Sequence, residues 1–97
     1  MMYFVAMQLE NDLAEREDLR NTLEQFGPWS NRLGDTWLVE STFSARKIRD
    51  SVKEHLSPGE RVFVGEFNAN WAGYGMGASF PDWMRRRATI RKIDARS

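Results

Sequence analysis

The chain has 97 residues, 41% of them hydrophobic and 29% charged, with no cysteine and a net charge of zero. That length supports one domain with a modest core, and the lack of cysteine excludes disulfides, thiol nucleophiles and thiolate metal sites. No run approaches the roughly 18 apolar residues of a membrane span, and Met1–Glu10 lacks the basic region and cleavage site of a signal peptide, so a cytoplasmic protein with no membrane association is expected.

Tyr3–Leu9 is a short apolar run without Gly or Pro, which predicts a buried strand. Asp12 and Glu15 stand at capping-box spacing and predict a helix starting at Asp12. Leu19, Leu23 and Phe26 recur on one helical face, with Glu15, Arg16, Glu17, Asp18 and Arg20 mostly left to solvent. Gly27-Pro28 ends that helix. Trp29–Leu33 offers a second strand, Gly34-Asp35 a turn, and Thr36–Glu40 a third strand on its β-branched and aromatic content. Ser41, Thr42 and Ser44 are candidate N-caps for a second helix whose core face is Ala45, Ile48, Val52 and Leu56. Ser57-Pro58-Gly59 stops it. Arg61–Phe67 then predicts a fourth strand, with Val62, Val64 and Glu66 on one side and Phe63 and Phe67 on the other.

The order β-α-β-β-α-β predicts an α+β fold of the ferredoxin-like type, a four-stranded antiparallel sheet with both helices on one face, over a core at 2–67. The other face is expected to stay open and to carry an apolar set from Tyr3, Val5, Met7, Val62 and Val64. An uncovered apolar face is an association liability, and it predicts a symmetric homodimer. Residues 68–79 form a loop rich in Gly and aromatics, and residues 80–97 a basic C-terminal extension of the same single domain 1–97. Phe80–Met84 begins a short helix with Pro81 in its first turn. Ala88–Asp94 reads either as a fifth strand or as a frayed tail.

Few residues suit catalysis. His55 is the only histidine, placed late in the second helix, and reads as a helix-end side chain interacting with the dipole. Glu10 and Asp12, near the end of the first strand, are oxygen donors suited to Mg²⁺, but the cap already accounts for Asp12. Glu66 is expected to face the open side of the sheet. No Gly-x-Ser-x-Gly elbow is present, and Gly73-x-Gly75-x-Gly77 lacks the Lys-Ser/Thr of a phosphate loop. No catalytic residue, metal or cofactor is therefore assigned.

Aromatics and arginines are the stronger signal. Trp37, inside an apolar strand, reads as core. Asn70, Trp71 and Tyr74 in the Gly-rich loop are candidate partner-binding residues, because aromatic rings with polar tips suit interfaces and stack on bases. The competing reading folds Trp71 back as a lid over the core. Residues 85–97 hold six basic side chains against the single acid Asp94. Arg85, Arg86 and Arg87 either meet phosphates or an acidic surface, or are solvated cations at a helix end.

Tyr3-Phe4-Val5-Ala6-Met7-Gln8-Leu9, Asp35-Thr36-Trp37-Leu38-Val39, Ser44-Ala45-Arg46-Lys47-Ile48-Arg49-Asp50 and Val62-Phe63-Val64-Gly65-Glu66 resemble the small SinR-family proteins. These are similar in turn to the Cas-two-like group, which includes the CRISPR adaptation subunit and the VapD toxins. The resemblance implies a ferredoxin-like fold and a homodimer built face to face through the sheets, sometimes with a C-terminal strand added to the partner. It also implies an Asp near the end of the first strand, associated with metal-dependent nuclease activity. That position here is Gln8, which is neutral and a poor Mg²⁺ ligand. Fold analogy does not restore an activity whose site is missing. The expectation is a non-catalytic homodimeric interaction or assembly module that contacts an unknown protein partner or, weakly, nucleic acid. The alternatives are a metal-dependent nuclease drawing on Glu10, Asp12 or Glu66 across the dimer axis, and a small regulator or inhibitor of another protein from a mobile element.

Overall fold

In the computed structural model, which describes residues 1–87, four strands form one antiparallel sheet in the order β2-β3-β1-β4. They are β1 (Met2–Gln8), β2 (Trp29–Leu33), β3 (Thr36–Glu40) and β4 (Arg61–Phe67). Two helices, α1 (Glu17–Glu24) and α2 (Ala45–Lys53), connect them, and α3 (Phe80–Arg85) follows the last strand. β1 is central. Met2 lies opposite Glu40 and Phe67, Phe4 opposite Leu38 and Gly65, and Gln8 opposite Arg61.

This register assigns the two faces of the sheet. Directly opposed residues share a side, and alternate residues point apart. Tyr3, Val5, Met7, Trp37, Val39, Val62 and Val64 therefore point one way, and Met2, Phe4, Leu38, Phe63 and Phe67 the other. The helices cover the first set: Leu19 and Leu23 of α1 and Ile48 and Val52 of α2 are fully buried against Tyr3, Val5, Trp37 and Val39. Burial of one such aliphatic side chain contributes about 1.5–3 kcal/mol. The apolar set expected on the open face thus lies beneath the helices. Both faces of β1 are apolar, and the helices took the side that carries Tyr3 and Val5.

The first helix also departs from expectation. Asp12 makes no capping bond; a 3₁₀ turn spans Leu13–Glu15, and Arg16 (φ −113°, ψ 71°) separates it from α1. Two long-range demands override the local signal. Leu13 enters the core, while the Arg16 guanidinium donates to Glu60 at 2.7 and 3.1 Å and to the His55 carbonyl at 2.7 Å. Glu60 also accepts from the backbone N–H groups of Glu10 (2.9 Å) and Ser57 (2.7 Å). Arg16 first, then these two donors, hold its carboxyl down at about 2. α2 starts as expected, with Ser44 Oγ accepting from the Lys47 N–H at 3.1 Å. His55 lies just past the end of α2. Its ring nitrogens lie 2.9 Å from Thr22 Oγ1 and 3.1 Å from Asp18 Oδ2, linking the end of α2 to α1.

The far face of the sheet is only half bare. Phe80 and Met84 of α3 bury Met2, flanked by Leu38, Phe67, Ala69, Met76 and Trp83. At the opposite end, Phe63 remains 67% exposed. Among the described residues no helix is long and apolar enough to cross a membrane.

Candidate functional site

Between the far face and the loop after β4 lies an apolar cleft of about 420 Å³. Phe4, Leu38 and Phe67 make its floor and Leu33 one edge; Phe80 and Met84 stand behind, and loop residues from Asn70 to Met76 form the rim. The floor depends on Gly65. A Cβ there would come within 2.4 Å of Phe4 Cζ, so the Phe4 ring lies directly over the β4 backbone. It also leans on Phe63, with ring centroids 5.8 Å apart. The rim turns at Gly75, whose φ of 74° is readily adopted only without a side chain.

The loop candidates divide by position. Trp71 sets its edge against Phe80 (centroids 5.5 Å apart, planes at 84°) and stays 36% exposed, so it is both wall and surface. Tyr74 is 99% exposed. Asn70 lines the cleft, its backbone N–H held by Asn68 Oδ1 at 2.9 Å.

Side chains that sequence reasoning passed over anchor α3. Arg32, on edge strand β2, donates to Ser30 Oγ and Ser79 Oγ, both at 2.8 Å. Its guanidinium also stands 5.2 Å above the Phe80 ring. The i, i+4 spacing of Phe80 and Met84 was the one signal in the sequence for this docking.

The three arginines do not act alike. Arg85 pairs with Asp82 and is exposed, as is Arg86. Arg87 is 9% exposed. Its guanidinium lies 4.7 Å from the Trp83 ring centroid, Nε donates to the Trp83 carbonyl (3.1 Å), and Nη1 stands 3.9 Å from Glu40 Oε1. Its place is structural, because Trp83 and Glu40 enclose it. Arg91, Lys92, Arg96 and the segment 88–94 lie outside the described residues.

The carboxylates considered for catalysis occupy separate places. Glu66 is opposite Tyr3 and so on the helix side, not the open side expected, because β4 alternates in register with β1. Asp12 lines a different depression, and Glu10 offers its backbone N–H to Glu60. Gln8 is opposite Arg61, at the end of the sheet away from α3. Among the described residues no group of three or more His, Asp or Glu side chains is placed to hold a metal ion. The geometry of the cleft suits binding an apolar or aromatic group. Comparison with protein-family models, curated proteins and solved structures finds no match.

Proposed function

We propose that the protein is a non-catalytic interaction or assembly module, a ferredoxin-like plait of the Cas-two-like kind that engages a protein partner at the cleft. One observation carries this reading: a fully exposed Tyr74 stands at the rim of an apolar cleft whose lining, among the described residues, contains no carboxylate, histidine, lysine or arginine. That lining supplies no carboxylate or imidazole for general acid–base work or for a metal, and it has an aromatic anchor of the kind that dominates interfaces. The strand order β2-β3-β1-β4, with α1 and α2 on one face, supports the plait. The partner supplies an aliphatic or aromatic side chain to the cleft.

Homodimerisation belongs to the same proposal. Phe63 and Leu33 are exposed apolar side chains beside the bare end of the sheet, and a second copy would bury them. Exposed Arg85 and Arg86 support a weak nucleic-acid contact that falls with salt. In affinity capture from native lysate, Tyr74→Ala is expected to lose the partner recovered by wild type at an unchanged melting temperature. Equal recovery by both proteins overturns the cleft reading, and a monomer mass by light scattering at micromolar concentrations overturns the dimer.

A further inference from the structure

The two edges of the sheet are not equally protected. β2 is interrupted by a register irregularity between Ser30 and Leu33, and its Arg32 is tied to Ser79; bulges and covered charges blunt an edge against further pairing. β4 has neither. It pairs with β1 without a break from Arg61 to Phe67 and contains no proline. Its other side has no neighbouring strand among the described residues.

Register shows which backbone groups that side carries. Met7 donates its N–H to the Asp35 carbonyl, and the Met1 carbonyl accepts from the Ser41 N–H. Odd-numbered residues of β1 therefore bond toward β3 and even-numbered ones toward β4. The partners of the even set are Arg61, Phe63, Gly65 and Phe67. The N–H and C=O groups of Val62, Val64 and Glu66 thus point outward, and among the described residues no backbone bond from another element reaches them. A depression of about 250 Å³ is lined by Val62, Phe63 and Val64 together with Ala45, Arg46 and Arg49 of α2. Phe63 belongs to the far face, so a depression that touches both it and α2 follows the outer edge of the strand. Arg46 and Arg49 are exposed there. Arg49 pairs with Asp50, whereas Arg46 pairs with no carboxylate among the described residues.

We infer that β4 pairs antiparallel with β4 of a second copy, edge to edge, about a two-fold axis at Val64. This rests on the homodimer reading above and gives it a geometry for Phe63; Leu33 lies on the opposite edge strand and takes no part. An axis at Val64 pairs the whole strand: Arg61 meets the partner's Phe67, Val62 the partner's Glu66, and Phe63 the partner's Gly65. The side chains fit this register on both faces. On the far face, the exposed Phe63 comes against the partner's Gly65 and the Phe4 ring that covers it, so an aromatic ring borders the space a glycine leaves. On the helix side, the partner's exposed Glu66 arrives opposite Val62, in the depression beside Arg46 and Arg49, and brings a carboxylate to them. The same strand supplies both halves of each fit, as a two-fold contact requires. That self-complementarity singles out a second copy over an unrelated peptide.

The test combines light scattering with amide hydrogen exchange on the full chain. Wild type is expected to give a dimer mass at micromolar concentration. Glu66→Arg, and separately the double variant Arg46→Glu with Arg49→Glu, are each expected to give a monomer mass with the amide spectrum of a folded chain, because like charges then meet across the axis. In the wild-type dimer the Val62 and Val64 amides should exchange at least roughly tenfold more slowly than in the Glu66→Arg monomer. Mixing the two variants should recover a dimer mass, since each offers the charge the other lacks, and a contact within one chain is not restored by mixing. A wild-type monomer mass overturns the homodimer reading and this inference with it. A wild-type dimer that neither variant dissociates, or whose Val62 and Val64 amides exchange as fast as in a monomer, overturns this inference alone. So does equal protection of those amides in the Glu66→Arg monomer, or a mixture that stays monomeric.

Discussion

Replacing Phe80 by alanine tests whether the C-terminal segment is part of the main core or a cover that melts separately. The ring is buried between Trp71, edge-on at 5.5 Å, and Trp83, stacked at 6.1 Å, with the Arg32 guanidinium 5.2 Å above it. Its transfer from water contributes about 1.5–3 kcal/mol, and the cavity left behind raises the truncation cost to about 3–5 kcal/mol. Among the described residues the cluster it anchors has three buried members, Met2, Phe80 and Met84, against ten on the helix side. α3 has six residues, too short to persist once undocked. A loss of that size exceeds what so small a cluster can hold, so the segment should release before the domain unfolds. Phe80→Ala is therefore expected to leave the urea midpoint of the main transition nearly unchanged. At the same time trypsin should cut after Arg85 and Arg86 under native conditions, and the emission of Trp71 and Trp83 should shift to the red. Leu23→Ala, in the helix-side core, should instead lower global stability by about 2–5 kcal/mol without early cleavage. Trp71→Ala should cost less than Phe80→Ala, about 1–2 kcal/mol, because its ring stays 36% exposed. Equal global losses for Phe80→Ala and Leu23→Ala, with no release of the segment, would refute the two-cluster reasoning.

Glu60 gives the acid response a defined origin. Its carboxyl is lowered from 4.5 to about 2, chiefly by the hydrogen bond from Arg16, so its stabilisation is complete above the ordinary value and lost as pH falls toward the lower one. Glu60→Gln should lower the urea midpoint at neutral pH and flatten its decline across that window; parallel declines in both proteins would sink the assignment. Gly65→Ala would place a Cβ 2.4 Å from Phe4 Cζ and should cost roughly 1 kcal/mol through displacement of that ring. In a Phe4→Ala background the penalty should vanish, and a denaturation double-mutant cycle reads the difference. Arg87→Ala removes the cation that faces Glu40 and Trp83 and should cost about 1–3 kcal/mol, whereas exposed Arg86→Ala should stay within roughly 0.5 kcal/mol of wild type. Equal melting temperatures for these two variants would remove the structural role of Arg87.

Local chemistry in the sequence determined the elements and their order. The β4 alternation, the helical repeat of Ile48 and Val52, the Ser44 cap, and the breaks at Gly27-Pro28 and Ser57-Pro58-Gly59 each act within a few residues, and the structure keeps them. The loop at 68–79 was legible too, since glycines and aromatics set between strand and helix mark a surface whatever lies beneath it.

Tertiary structure alone decided which face each strand presents. β1 is apolar on both sides, so its two-residue period could not choose between Tyr3–Val5 and Met2–Phe4; pairing with β3 and β4 and docking of the helices chose. Asp12 and Glu15 lost their capping box because Arg16 has its partner Glu60 44 positions away and Leu13 its place in the core, and these outweigh one local hydrogen bond. Arg85, Arg86 and Arg87 are equivalent as letters, yet α3 ends at Arg85, and only Arg87, beyond the helix end, meets Trp83 and Glu40. The floor of the cleft comes from three strands. No local pattern could announce it, because Phe4, Leu38 and Phe67 become neighbours only when the sheet forms and α3 folds back across it.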